Sequence, residues 1–315
     1  MSLERTLFIA LATVACSPTP ADRLNYESSW EIFAGLDDGA ILHVGLSTGN
    51  RGLRRGEGEI QWAYLPPQGA GFTFHERHPP ELVDAAESTE AWTFGQTRWE
   101  RVEDGLRLSI RTRGALEGRF IVQGFAPPTE PTTFESGSLE RVIKLSHPHA
   151  SISGAWTAGG AGEIVEGRAV ALRATGAADN TRRADDITIH LMASDASLTV
   201  MQDEHGLAGW LTEGGLTQTL DDLRIERDGT DTTLSSERHA LSARVKPREH
   251  SVQTTEFASA VGLERWIAER LSGPLSRQMW SGQTQLRLGQ RTLPARVIVL
   301  DGYGKPMKSG LGPTR

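Results

Sequence analysis

The chain has 315 residues, with 40 acidic and 33 basic side chains, and its formal net charge is −7. The 38% hydrophobic content is that of a globular protein, and the single short apolar run near the N-terminus excludes a polytopic membrane protein, while the acidic balance argues against a nucleic-acid partner. One cysteine excludes an intramolecular disulfide and a cysteine-based zinc site, and 34 glycines with 8 tryptophans favour strands and tight turns over helices.

The N-terminus combines a short polar start, an apolar run over residues 7–15 and the only cysteine, Cys16. The run matches the apolar part of a signal peptide and is too short to cross a bilayer. The small residues before Cys16 resemble the lipobox of bacterial lipoproteins, whose cysteine is lipidated; a secretory signal cleaved near Ala15 and a buried N-terminal helix are the alternatives. We therefore expect a signal peptide over 1–15, a tether over 16–27 and anchoring to a cell-envelope membrane through lipidated Cys16. Ser17, in place of the aspartate associated with inner-membrane retention, favours the outer membrane.

The segment 28–125 breaks into short apolar runs separated by Gly- and Asp-rich turns, which is typical of antiparallel β-structure. The predicted strands are residues 30–33, 40–46, 59–64, 91–94, 98–102, 106–112 and 120–122. In 106–111 apolar and polar residues alternate strictly, which predicts one buried and one wet face. Pro79 and Pro80 indicate a loop over 74–80, and three prolines in 126–131 predict a linker over 126–138.

The segment 139–304 continues the same rhythm, with predicted strands 139–145, 150–157, 163–175, 187–192, 198–202, 207–212, 222–226, 239–245 and 296–300. An amphipathic helix is predicted over 256–271, because its apolar residues recur at spacings of three and four. Residues 305–315 lack periodicity and are predicted to form a flexible tail. We therefore expect an all-β, mainly antiparallel chain with two barrel domains, 28–125 and 139–304, and one helix near the C-terminus.

Five sequence elements carry a resemblance to a known superfamily. They are Trp30-Glu31-Ile32-Phe33, the run 38–44, Gly105-Leu106-Arg107-Leu108, Glu166-Gly167-Arg168-Ala169 and, most specifically, the run 147–154, which reads HPHASISG. Together they resemble the two-domain lipocalin-like superfamily of carotenoid 1,2-hydratase, AttH-like proteins, pericyclic cyclases and fungal survival-factor proteins, the last being nearest. The resemblance implies two packed lipocalin-like barrels that bind a hydrophobic molecule in a barrel or between barrels. The hydratase's Tyr-x-Asp-His-x-Trp-Gly segment has no counterpart over 179–190, so its chemistry does not transfer.

Nine histidines invite a search for metal ligands, and the closest pairs are His75 with His78 and His147 with His149. Neither pair has an identifiable third ligand, so we expect neither a metal nor a cofactor. The glycines of 159–162 lack the Lys-Ser/Thr of a phosphate-binding loop and are interpreted as a turn.

Asp186 and His190 are the candidates for acid–base chemistry, because they alternate with Thr188 onto one strand face. The opposite face, Ile187, Ile189 and Leu191, is the more apolar one. His190 is therefore expected to point away from its own barrel, with a solvent-facing or interdomain structural role. A catalytic role would require His190 to face a lumen together with a nearby acid.

The aromatic residues Trp30, Phe33 and Trp156 are the predicted ligand-binding residues, since an aromatic lining serves both a barrel core and a lipid site. Our first hypothesis is an envelope lipoprotein that binds a lipid or other hydrophobic small molecule without catalysis. A hydratase or cyclase acting on an isoprenoid or polyene is the alternative. A structural surface lipoprotein that binds a protein partner is a third possibility.

Overall fold

The computed structural model describes residues 25–51, 54–85, 91–103, 105–113, 116–136, 139–158, 161–177, 187–203, 206–228, 231–246, 251–255 and 276–301. The predicted signal peptide, Cys16, Asp186, the predicted helix over 256–271 and the predicted tail lie outside the described residues. Within these ranges, no helix is both long and apolar enough to cross a membrane.

The first sheet contains twelve of the described strands, all paired antiparallel. They are β1 (Asn25–Leu36), β2 (Ile41–Arg51), β3 (Arg54–Leu65), β4 (Phe72–His78), β5 (Val83–Asp84), β6 (Ala91–Phe94), β7 (Thr97–Val102), β8 (Gly105–Arg111), β9 (Leu116–Gly124), β10 (Thr132–Ser136), β11 (Leu139–Ala158) and β12 (Ala161–Ala177). Their order is β4-β3-β2-β1-β12-β11-β9-β8-β7-β6-β5, with β10 on β11. One 3-10 turn, Pro80–Leu82, precedes β5. The sheet curls into a nearly closed barrel.

The second sheet contains the ten remaining described strands and forms a half-barrel. They are β13 (Ile187–Met192), β14 (Ala196–Asp203), β15 (Gly206–Glu213), β16 (Leu216–Thr219), β17 (Arg224–Asp228), β18 (Asp231–Ser236), β19 (Leu241–Val245), β20 (Ser251–Thr255), β21 (Ser276–Leu288) and β22 (Arg291–Asp301). Their order is β16-β15-β14-β13-β22-β21-β19-β18-β17, with β20 on β21. The predicted all-β, antiparallel, two-barrel architecture is confirmed.

Two features of the first sheet differ from the predictions. The segment predicted as a loop at 74–80 is mostly strand β4, because Pro79 and Pro80 follow the strand and remove no hydrogen-bond donor from it. The predicted linker 126–138 does not separate the sheets: β11 pairs with β9, and β12 pairs with β1. The passage from the first sheet to the second instead falls between Ala177 and Ile187.

Three apolar cores hold the fold together. One fills the lumen of the first barrel, and the second lies on the concave side of the second sheet. The third lies between the two sheets and contains residues of both, among them Phe33, Leu145 and Leu172 from the first and Trp210 and Ile298 from the second.

Strand β13 shows how the alternation of side chains builds this arrangement. All six of its residues are buried. Ile187, Ile189 and Leu191 join the core of the second sheet, while Met192 joins the core between the sheets. Since successive side chains point to opposite faces, Thr188 and His190 share the face of Met192. The expectation that His190 points away from its own barrel is thereby met, and the surface it meets is the first sheet.

Candidate functional site

A groove of about 620 Å³ opens between the two sheets. Its lining comprises Asp37 and Arg168 from the first sheet and Met192, Ala193, Ser194, Gln283, Thr284, Gln285, Pro294, Ala295 and Arg296 from the second. The volume falls in the range of about 300–1,000 Å³ that small-molecule sites occupy. The walls combine an apolar strip with polar groups, which suits an amphiphilic occupant.

Two arginines give the groove its charge. Arg296 donates a hydrogen bond from Nη2 to the Asp37 carbonyl oxygen (2.6 Å), and its aliphatic stem lies so close to Gly35 that a Cβ there would be 3.0 Å from the arginine Cδ. The Arg168 guanidinium lies 5.0 Å from the centre of the Phe125 ring. Among the described ion pairs, none includes either arginine, so both can meet an anionic group.

A stack of three rings lies deeper between the sheets. The Phe33 ring is sandwiched by His43, at 4.5 Å and 9° between planes, and by His190, at 4.3 Å and 25°. Phe33 and His43 are adjacent on β1 and β2, whereas His190 comes from β13 of the second sheet. All three are at most 3% exposed. The stack therefore ties the two barrels together at a buried contact.

Each histidine of the stack has a polar partner. Glu31 Oε2 lies 3.2 Å from His43 Nε2, and Thr199 Oγ1 lies 3.1 Å from His190 Nδ1. His43 Nδ1 and His190 Nε2 are buried without a hydrogen-bond partner. Such groups lose free energy relative to water, typically about 1–3 kcal/mol each, unless a ligand or ordered water satisfies them.

A second imidazole–carboxylate pair lies on the same face of the first sheet. His75 Nδ1 is 3.6 Å from Glu59 Oε1, and both side chains are about nine-tenths buried. His75 on β4 is aligned with Glu31 on β1, because the residues between them on β2 and β3 are paired directly across the sheet. The face of the first sheet that meets the second thus carries a polar strip of two histidines and two glutamates.

Burial determines the charge of His190. The pKa of His190 is lowered to about 3, chiefly by complete burial; Glu31 opposes the shift and the neighbouring His43 adds to it. His190 is therefore neutral at pH 7. A neutral imidazole held by Thr199 can accept or relay a proton but cannot act as a fixed positive charge.

The groove and the ring stack are continuous along two strands. Gly35 follows Phe33 by two residues on β1, and Met192 follows His190 by two residues on β13. Gly35 and the groove-lining Met192 are close neighbours, since a Cβ on Gly35 would lie 3.3 Å from the Met192 methyl group. Residues two apart on a strand are about 6.6 Å apart, so one residue layer separates the groove from the stack.

The structure distributes the predicted ligand residues over two places. Trp30 and Trp156 face the lumen of the first barrel, where Trp30 contacts Trp92 and Trp99, and Trp156 contacts Trp62. Phe33 is an odd number of residues from Trp30 and therefore lies on the opposite face, in the ring stack. His190 joins Phe33 there.

Glu31, His43 and Thr199 were not singled out by the sequence. Each is one polar residue on an alternating strand, and no local pattern distinguishes it from a solvated one. Two features of the fold bring Glu31, His43 and Thr199 together. Phe33 pairs with His43 across β1 and β2, and β13 and β14 pack on the same face of the first sheet.

Neither predicted histidine pair forms a metal site in the described residues. His75 and His78 are three apart on β4 and so lie on opposite faces. His147 and His149 lie at an irregularity where the register of β11 shifts against β12. Among the residues described, no three His, Cys, Asp or Glu side chains converge as metal ligands.

The architecture is that of the two-barrel lipocalin-like proteins. An AttH-labelled protein from Nitrosomonas europaea matches it with a TM-score of 0.60 and 12% identity, over 90% of this chain and 94% of that one. CghA in complex with Sch210972 matches with a TM-score of 0.61 and 10% identity, over 89% of each chain. Kievitone hydratase from Nectria haematococca matches with a TM-score of 0.52 and 9% identity, over 91% of this chain and 92% of that one. The sequence itself matches no protein-family profile and no curated protein. At these identities the similarity establishes the fold.

Proposed function

We propose that the protein binds an amphiphilic small molecule in the groove between its two barrels. The groove itself carries the proposal: it has about 620 Å³ of space, an apolar wall of Met192, Ala193 and Ala295, and two arginines that form no ion pair with a carboxylate among the described residues. The polar part of the ligand would lie at Arg168 and Arg296, and its apolar part against the wall.

The similar structures support small-molecule handling on this fold. One of them is a complex of CghA with Sch210972, and another is named a hydratase. Because the shared feature is the fold, the residues of this groove, rather than those proteins, must define the ligand.

The proposal can be tested with two fluorescent probes of similar shape, anilinonaphthalene sulfonate, which is anionic, and N-phenyl-1-naphthylamine, which is neutral. We expect Ser194→Trp, which fills the groove, to weaken both, and Arg168→Gln to weaken only the anionic probe. Arg107→Gln is the matched control, since Arg107 is exposed on β8, pairs with Glu100 and does not line the groove. Unchanged binding of both probes to the Ser194→Trp protein would refute the groove as the site.

A second candidate function is acid–base catalysis of the hydratase or cyclase type, and the Glu31–His43 contact favours it. A carboxylate that orients an imidazole, next to a neutral imidazole one residue layer from a groove, is a usable proton-transfer arrangement. Glu31 and His43 thus join Asp186 and His190 as the residues to test.

Catalysis can be tested by incubating the protein with isoprenoid and polyene alkenes and measuring water addition or isomerisation by mass spectrometry. If Glu31 orients His43, Glu31→Gln should lower turnover by about 10²-fold or more. Glu57→Gln, on the same face but paired with Arg77, is the control. Equal turnover of the Glu31→Gln and wild-type proteins would remove the pair from the mechanism.

We also propose, from the sequence alone, that Cys16 is lipidated and anchors the protein in the outer membrane of a bacterial envelope. Labelling of growing cells with a radioactive fatty acid should mark the wild-type protein and not the Cys16→Ser variant. A wild-type protein that remains unlabelled would contradict the anchor.

A further inference from the structure

The first barrel carries a cationic cluster that has no counter-charge. Arg173 on β12 and Lys144 on β11 lie directly opposite each other, on the face that lines the lumen. Arg101 follows Trp99 by two residues on β7 and so lies on the same face of that strand, with its side chain exposed. It acts on His147, whose pKa is lowered to about 4 first by burial and then by this arginine. We call Arg101, Lys144 and Arg173 the cationic mouth. Among the described residues, none forms an ion pair or hydrogen bond with any of the three side chains.

This arrangement is unfavourable for the empty protein. Like charges directly opposite on neighbouring strands destabilise a sheet. The Arg173 Nε–H is buried and has no hydrogen-bond acceptor. The chain has more acidic than basic residues, so carboxylates that could accept this bond are not scarce. Glu76, a carboxylate on the lumen face, is engaged elsewhere, 3.9 Å from His78 and accepting a hydrogen bond from the Arg113 backbone.

Aromatic rings hold Arg173 in place. Its guanidinium carbon lies 5.7 Å from the Trp30 ring centre and 5.9 Å from that of Trp92. The two indoles meet edge to face at 6.3 Å. Contact with ring faces stabilises the cation but leaves its in-plane N–H groups free to donate. Arg173 is thus oriented in advance for a planar anion such as a carboxylate.

A further donor lies beside it. Ser28 is 2% exposed, and its Oγ has no hydrogen-bond partner. Since Ser28 pairs with Thr175 and Trp30 with Arg173, Ser28 and Arg173 are diagonal neighbours across β1 and β12. Diagonal side chains are about 7–8 Å apart, a distance that one carboxylate and its hydrogen bonds can span. Next to this pair, Trp30 is partly exposed, whereas Trp92 and Trp99, each 2% exposed, pack against it in the core.

We propose that the cationic mouth is a second ligand site, separate from the groove, that binds the carboxylate of a long-chain acid. Arg173 and Ser28 hold the carboxylate, Lys144 and Arg101 supply positive potential, and the chain leaves the head group across Trp30. The site gives Trp30 the ligand contact expected from the sequence, but at the head-group end of the molecule.

The probe for this site is cis-parinaric acid, compared with its uncharged methyl ester, with binding followed by energy transfer from tryptophan. We expect the acid to bind at least 10-fold more tightly than the ester, and Arg173→Met to remove this preference while leaving ester binding unchanged. Arg173→Lys should retain part of the preference. The control is Arg119→Met, because Arg119 is exposed on the outer face of β9.

Two measurements separate this site from folding and from the groove. Since Arg173→Met removes a like-charge pair, its thermal midpoint should equal or exceed that of the wild type, which excludes misfolding as the cause of lost binding. Ser194→Trp should leave acid binding intact, even if it abolishes binding of the groove probes. Equal affinities for acid and ester, unchanged acid binding by Arg173→Met, or loss of acid binding in Ser194→Trp would each overturn the proposal.

Discussion

Replacing His190 with phenylalanine should make the protein less sensitive to acid. The ring would keep its place on Phe33, while the only titratable group of the stack that comes from the second sheet would disappear. At neutral pH the change removes one hydrogen bond, from Thr199, and is expected to cost about 1 kcal/mol.

The magnitude follows from the pKa of His190. Its folded pKa of about 3 lies below the ordinary value of 6.5. As pH falls, the unfolded chain therefore binds a proton at this histidine before the folded protein does. The stability that neutral His190 contributes is fully present above pH 6.5 and is lost between pH 6.5 and about 3. Each pH unit in this window corresponds to about 1.4 kcal/mol, which gives a loss of about 3 kcal/mol at pH 4.5.

The assay is urea unfolding at pH 7.5 and pH 4.5, followed by tryptophan fluorescence. His147, His149 and His78 also have lowered pKa values, mainly through burial, and add to the acid loss of every variant. The difference between wild type and His190→Phe isolates His190. His239→Phe, in a partly exposed turn, serves as the control. If the wild type and His190→Phe lose the same free energy of unfolding between the two pH values, the reasoning from burial is refuted.

Two further predictions concern the core between the sheets and the close approach of strands in the first barrel. Leu172→Ala, at a buried position between the sheets, should lower the free energy of unfolding by about 2–5 kcal/mol, whereas Ile164→Ala, 82% exposed, should change it by less than about 0.5 kcal/mol; urea titration checks both, and equal effects would contradict the existence of this core. Gly105→Ala should lower the free energy of unfolding by about 3 kcal/mol or more, because its Cβ would lie 1.9 Å from the Val122 carbonyl oxygen. Gly289→Ala, with φ +58° and open space around it, should lower it by only about 1 kcal/mol. A thermal midpoint for Gly105→Ala at or above that of Gly289→Ala would count against the register of β8 and β9.

The architecture was predictable because alternation and turn chemistry act locally. The strict pattern of 106–111 and the turn before it are enough to define β8. The strand around His75 was harder to predict, because Pro79 and Pro80 suggest a loop. The sequence does not show that both prolines come after the end of the strand. Only the pairing with β3 shows that its aromatic and charged residues form a strand.

The candidate site was less predictable because it is assembled from the outer faces of two sheets. The direction of the His190 side chain could be predicted from its neighbours, because Ile187, Ile189 and Leu191 occupy the concave side of the second sheet. The side chain it meets, Phe33, is more than 150 positions away in the sequence, and no local period encodes which outer face docks on which. The boundary between the sheets was missed for a related reason: prolines at 126–131 indicate an irregular segment but do not determine which partners the next strands select.

The core shared by the two sheets also bears on how the chain can be divided. Removing the second sheet would expose Phe33, Leu145 and Leu172 on the outside of the first barrel. Removing the first sheet would uncover one face of β13. Neither half is therefore a self-sufficient module, and each should aggregate when produced alone. Limited proteolysis should accordingly yield nicked but associated fragments, and the whole chain should melt in one cooperative transition. The two barrels are a single folding unit whose halves cannot be exchanged independently between proteins of this architecture.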